Sequence, residues 1–277
     1  MTLHRRRVVT ALAALPPILA AATAPALAHG GGNRPRPLTL HIAGDSTAAQ
    51  KYSDAAPETG WGMALPFFLR PDVRVANHAM NGRSSKSFID EGRLDALLAG
   101  VRPGDLVLVQ FGHNDEKTED PARGTDPHTT FPQYLRQYLD GARARRARPV
   151  LITPVERRRF AEDGTAKPTH GEYPAAMRAL AAEERVPLID AQALTLALWQ
   201  RLGPTVTQDW FNWVEPGESP NYPAGKQDNT HFQPLGAVEV ARVTARALRG
   251  ARLLEPRDLR RLDAPVPPSL ISWPDPV

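Results

Sequence analysis

The sequence predicts an α/β protein in which a parallel five-stranded sheet is packed between helices on both faces. Two observations predict it. Short apolar runs alternate along the chain with longer stretches of helical periodicity, which is the pattern of strands joined by crossover helices. One of those runs, LVLVQF at 106–111, is close to continuously apolar rather than alternating, as a strand covered on both faces requires.

Taken in order, residues 1–28 read as a secretory signal peptide. Arg5, Arg6 and Arg7 precede an apolar, alanine-rich stretch broken by Pro16 and Pro17, and Ala26-Leu27-Ala28 is a small-x-small cleavage site. The adjacent arginines also resemble a twin-arginine signal; an uncleaved membrane anchor is the alternative. Residues 29–37 form a linker, with His29-Gly30-Gly31-Gly32 at its start. The catalytic domain is expected over 38–250. Strands are expected at 38–43, 73–78, 106–111, 150–153 and 187–190. The clearest helix covers 131–146, where Phe131, Tyr134, Leu135, Tyr138, Leu139 and Ala142 recur at helical spacing. Further helices are expected at 173–184, 191–202 and 234–248, the last with a proline in its first turn. Residues 203–233 read as one long loop holding Trp210 and Trp213. Residues 251–277 read as a Pro-rich tail running extended over the surface.

Composition narrows the function. There is no cysteine, which excludes disulfides, a thiol nucleophile and thiolate metal sites. Loss of residues 1–28 removes three arginines and no acid, so the formal charge falls from +4 to +1. A nearly neutral chain carries no electrostatic footprint for nucleic acid.

In open parallel sheets ligands bind at the carboxyl ends of the strands, and four short motifs fall there or beside the last helix. The first strand runs into Gly44-Asp45-Ser46-Thr47, the second into Asn81-Gly82-Arg83-Ser84, and the third into Gly112-His113-Asn114-Asp115. Asp228-Asn229-Thr230-His231 precedes the last helix. Together they supply what acyl transfer needs. Ser46 is a nucleophile that requires a base, His231 is that base, and Asp228 orients it. The backbone N–H groups of Ser46 and Gly82 and the side-chain amide of Asn114 form an oxyanion hole. His78, His113, Asp115 and Glu116 suggest a metal cluster, but their spacing fits no zinc motif, so no metal and no cofactor are expected. Arg83, Lys86, Lys117 and Lys226 flank the motifs and are candidates to pair with uronate carboxylates. Trp210 and Trp213 are candidates to stack on sugar rings. Arg157-Arg158-Arg159 reads as a solvated loop, with contact to an acidic substrate as the alternative.

The four motifs resemble the conserved blocks of the SGNH (GDSL-like) hydrolase superfamily, with GDST at 44–47 in place of GDSL. Longer matches, NGRSSKSF at 81–88, FGHNDE at 111–116 and DNTHFQPLGA at 228–237, make the chain most similar to rhamnogalacturonan acetylesterases. The resemblance covers 38 to about 248. It implies a three-layer flavodoxin-like fold, no metal, and release of acetate from pectic rhamnogalacturonan through an acetyl-enzyme intermediate. An acetylxylan esterase or a broader small-acyl esterase of the same superfamily is the alternative. The expected partner is an acetylated plant cell-wall polysaccharide, met outside the cell by a monomer with no nucleic acid and no stable membrane association once the leader is cut.

Overall fold

The computed structural model describes residues 37–276. The signal peptide expected over 1–28 and nearly all of the linker expected over 29–37 lie outside the described residues. Five parallel strands form the central sheet: β1 (Leu38–Gly44), β2 (Val73–Asn77), β3 (Leu106–Gln110), β4 (Arg148–Ile152) and β5 (Leu188–Ile189), in the order β2-β1-β3-β4-β5. This is the flavodoxin-like order, and its topological switch lies between β1 and β3. The ladder pairs Gly44 with Gln110, so the exits of these two strands lie side by side.

Strand alternation divides the core in two. Leu40, Ile42, Leu106, Leu108, Val150 and Ile152 face one layer. It contains α1 (Trp61–Ala64), α6 (Ala191–Val206) and α7 (Pro234–Gly250). Ala43, Val107, Val109 and Leu151 face the other. That layer holds α2 (Ser85–Asp90), α3 (Arg93–Gly100), α4 (Thr130–Ala144) and α5 (Tyr173–Glu183). The apolar stripe of α4 is buried at Phe131, Leu135, Tyr138, Leu139 and Ala142, the face its 3.6-residue period creates. Helix α6 breaks at Gly203, whose φ is 77°, immediately before Pro204. Among the described residues no helix is long and apolar enough to cross a membrane.

Two sequence expectations need correction. The stretch 203–233 is not one loop: it carries an antiparallel hairpin of β6 (Phe211–Val214) and β7 (Lys226–Phe232). β7 reads KQDNTHF, a mostly polar run in which Thr230 and Phe232 alone are of the types that favour strands. It is held instead by its neighbours, through the ladder to β6 and through the Thr59 N–H donated to the Phe232 carbonyl at 2.8 Å. Residues 251–276 do run over the surface, but they are fastened to it. Leu253, Leu254, Leu259, Leu262, Val266 and Ile271 are buried. The Arg242 guanidinium donates to the carbonyls of Arg261, Leu262 and Ala264 at 3.0, 2.9 and 2.7 Å. Farther along, the Trp273 indole donates to the Glu58 carbonyl at 2.8 Å.

Candidate active site

The site is assembled at the carboxyl ends of β2, β1 and β3, with β7 completing it. After β1 the chain turns sharply. Asp45 accepts from the Thr47 N–H at 2.9 Å and the Thr47 hydroxyl at 2.7 Å, while its carbonyl takes the N–H groups of Ala48 and Ala49. Its other carboxylate oxygen meets His113 Nδ1 at 3.1 Å. Burial alone would raise the Asp45 carboxyl, but His113 and the Thr47 donors outweigh it and hold the group at about 2. Ser46 sits at the tip of this braced turn, 9% exposed.

The second turn is Met80–Arg83. Gly82 has φ of +76° and open space where a Cβ would lie, a conformation glycine adopts without strain. Among the described residues nothing accepts the backbone N–H of Ser46 or of Gly82. Asn114, 4% exposed, donates from Nδ2 to the Arg83 carbonyl at 3.0 Å, and its Oδ1 accepts from Lys117 Nζ at 3.0 Å. An amide nitrogen carries two hydrogens, so one donor of Asn114 remains. The loop holding it is set by Gly112, where a Cβ would come within 2.8 Å of Pro154. It is also set by Asp115, which accepts from the Ser85 N–H at 3.0 Å and from the Ser85 hydroxyl. Burial pushes Asp115 up to about 7 against those hydrogen bonds.

On β7, His231 Nε2 lies 2.7 Å from Ser46 Oγ, and His231 Nδ1 lies 2.7 Å from Asp228 Oδ2. Asp228 Oδ1 accepts from the backbone N–H groups of Thr230 at 2.8 Å and His231 at 3.1 Å. These contacts overcome the effect of burial and hold the Asp228 carboxyl far below the usual carboxylate range. The arrangement is a serine hydroxyl on an imidazole that is oriented by an anionic carboxylate, with unengaged N–H donors on the neighbouring strand ends.

A second carboxylate stands next to it. Glu58, 8% exposed, takes Lys51 Nζ at 2.6 Å and Lys226 Nζ at 3.3 Å, and Lys226 also reaches Asp228 at 3.4 Å. Donor atoms of Glu58, Asp228 and His231 lie within 4.8 Å of one another, but the two ammonium groups already neutralise this cluster. Lys51 is 1% exposed and also donates to Asn81 Oδ1 at 2.6 Å, so it ties Glu58 to the glycine turn. Burial would raise Glu58; Lys51, His231 and Lys226 together draw it below its ordinary value. Nothing in the local sequence marks Glu58 or Lys51, because their place depends on contacts far along the chain.

The other candidates are dispersed. Arg83 pairs with Glu91 at 3.0 Å and Lys86 with Asp90 at 2.6 Å. Trp210 packs edge-on against Trp199 at 6.0 Å in the core layer. Trp213 donates to Asn229 Oδ1 at 3.0 Å and lies under the Arg158 guanidinium at 4.9 Å. The four suspected metal ligands do not converge: His78 meets His41 at 3.4 Å, His113 meets Asp45, Asp115 holds Ser85, and Glu116 is paired with Arg157 and with His170 at 3.2 Å.

Residues 42–239 match the GDSL-like lipase/acylhydrolase family. The rhamnogalacturonan acetylesterase RhgT of Bacillus subtilis (strain 168) is 46% identical over 213 residues, which is 77% of this chain and 90% of that protein. The probable rhamnogalacturonan acetylesterase YesY of the same organism is 41% identical over 210 residues, 76% of this chain and 92% of that one. Among solved structures, YxiM of Bacillus subtilis superposes with a TM-score of 0.67 at 27% identity, covering 78% of this chain and 57% of YxiM. The acetylxylan esterase Axe2 of Geobacillus stearothermophilus shares the fold, with a TM-score of 0.53 at 18% identity over 79% of this chain and 96% of Axe2.

Proposed function

The chain belongs to the GDSL-like lipase/acylhydrolase family and is a carboxylic-ester hydrolase, and on that premise we propose that it removes acetyl groups from pectic rhamnogalacturonan by a Ser-His-Asp mechanism. The observation that carries the mechanism is the continuous line from Ser46 Oγ through His231 to Asp228, with both contacts at 2.7 Å. The similarity to RhgT and YesY supports the substrate.

In this reading His231 Nε2 takes the Ser46 proton as Oγ attacks the acetyl carbonyl carbon. Asp228, anionic across the working pH range, favours the Nδ1–H tautomer and stabilises the imidazolium that forms. Negative charge grows on the carbonyl oxygen, where the Ser46 and Gly82 N–H groups and the second Asn114 N–H meet it. His231 returns the proton to the sugar oxygen as the C–O bond breaks, leaving acetyl-Ser46. Water, deprotonated by His231, then releases acetate and restores the serine. The leader read over 1–28 and the polymeric substrate together support work outside the cell after export.

The test is acetate release from acetylated rhamnogalacturonan and from acetylated xylan, by the wild type and by Ser46→Ala. Release from the first, reduced by several orders of magnitude in the variant, is the expected result. Release from xylan alone overturns the pectic substrate and keeps the mechanism. Unchanged release by Ser46→Ala overturns the mechanism.

A further inference from the structure

The cations that flank the site in the sequence are engaged. Arg83, Lys86 and Lys226 have carboxylate partners, and Lys117 sits on the Asn114 amide oxygen. Arginines without a carboxylate partner lie nearby, in a cleft of about 680 Å³ lined by Arg157, Arg158, Arg159, Phe160, Thr169 and Asn229, with no acidic residue in its wall. Resting on the reading of the substrate given above, we propose that this cleft is a subsite for an acidic sugar, in which Arg158 and Arg159 bind the uronate carboxylate beside the acetylated residue.

The three arginines differ in their surroundings. Arg157 is neutralised by Glu116. Arg158 directs three donors at neutral oxygens: the Thr207 hydroxyl at 3.1 Å, Asn229 Oδ1 at 3.0 Å and the Pro204 carbonyl at 2.5 Å. A guanidinium has five N–H donors, so two remain, and no carboxylate among the described residues pairs with its charge. Its plane is held against Trp213 at 4.9 Å and near Phe160 at 5.8 Å, so little side-chain freedom is left to lose on binding. Arg159 is exposed, and its side chain has no partner among the described residues. An unpaired, half-buried guanidinium with free donors and an exposed second one beside it is suited to a carboxylate, which takes parallel N–H bonds from a planar fork.

The cleft is also joined to the reaction centre. Its wall residue Asn229 follows Asp228 directly and lies two residues from His231 on β7, about 7 Å of strand. The Arg158 N–H donates to the Asn229 carbonyl at 2.8 Å. A polysaccharide with an acetyl ester at Ser46 therefore has a neighbouring sugar within reach of the arginines. A neutral acetylated chain gains nothing there, so the cleft selects acidic backbones over neutral ones.

The test measures binding rather than turnover, so it does not depend on which ester is cleaved. The full chain carrying Ser46→Ala is titrated in a calorimeter with an unacetylated rhamnogalacturonan oligosaccharide. It is titrated separately with the same oligosaccharide after its carboxyl groups have been reduced to alcohols. The acidic form is expected to bind about tenfold more tightly, with a preference that fades as salt rises. Adding Arg159→Gln or Arg158→Gln is expected to remove the preference. Arg159→Gln touches no other side chain, so an unchanged melting temperature shows that its loss of binding is not misfolding. Equal affinity for the two oligosaccharides, or a preference that survives both substitutions, overturns the subsite. Selective binding by a chain that releases no acetate from rhamnogalacturonan would instead remove the proposed reaction and leave the subsite standing.

Discussion

Beside His231, the carboxylates of Asp228 and Glu58 are interleaved with the ammonium groups of Lys226 and Lys51, and Tyr222 stacks on Lys226 from outside at 4.7 Å. Glu58→Gln is expected to reduce the melting temperature, because it strands the buried Lys51 ammonium. Thermal unfolding checks this, and an unchanged melting temperature would exclude the account. Asn114→Ala is expected to lower kcat by roughly 10²–10³ with little change in KM, as loss of a donor made only to the developing oxyanion should. Ser46, Asp228 and His231 were nameable from short local blocks, since Asp228 and His231 lie within one turn of chain. Glu58 and Lys51 were not, because an isolated Glu and Lys acquire meaning only when the Thr59–Phe232 bridge brings their segment against β7.

At the level of elements, the three turns carrying the site depend on backbone shape more than on side chains. Gly82 and Gly112 both have positive φ, at 76° and 147°, but their surroundings differ. A Cβ at 82 meets open space, whereas one at 112 presses on Pro154. Gly82→Ala is therefore expected to cost about 1 kcal/mol, from conformation alone. Gly112→Ala should cost clearly more and, by shifting the loop that bears Asn114, should lower kcat in parallel. Thermal unfolding of the two variants decides this; a smaller loss at 112 than at 82 would contradict it. The inner strands β1, β3 and β4 are readable because burial on both faces leaves an apolar run; the edge strand β2 is half-exposed and shows only alternation. The hairpin is not readable, because β7 is polar and half-exposed and its residues serve the site rather than a core. Helices α1, α2 and α3 leave no such signal in the sequence either. At 4, 6 and 8 residues they are too short for a 3.6-residue period to stand out.

The molecule as a whole buries groups that titrate abnormally, and its stability should follow pH accordingly. Burial holds His78 and His113 neutral down to about 4, in the second case against the attraction of Asp45. Their folded values lie below the unfolded one, so their contribution is present above about 6.5 and is lost as pH falls towards 4. Asp115, raised to about 7, acts with the opposite sign: its contribution is complete below about 4 and is lost as pH rises through 7. The two histidines outnumber the aspartate, so the melting temperature should fall between pH 6.5 and 4. For Asp115→Asn, the stability difference from the wild type should move in the variant's favour between pH 5 and 8. A difference that stays flat would remove Asp115 from the account.

The tail gives this architecture an order in time. Trp273 reaches the Glu58 carbonyl, and the Pro274 carbonyl takes the Ser53 N–H at 2.9 Å, so residues translated after every part of the site close over the segment that carries Lys51 and Glu58. A ribosome that has already delivered Ser46, Asn114 and His231 has still not delivered a finished esterase. The nascent chain would stay inert towards acetylated material until residues 251–276 are free to dock, and a protease nick near residue 265 would return a mature molecule to that unfinished condition.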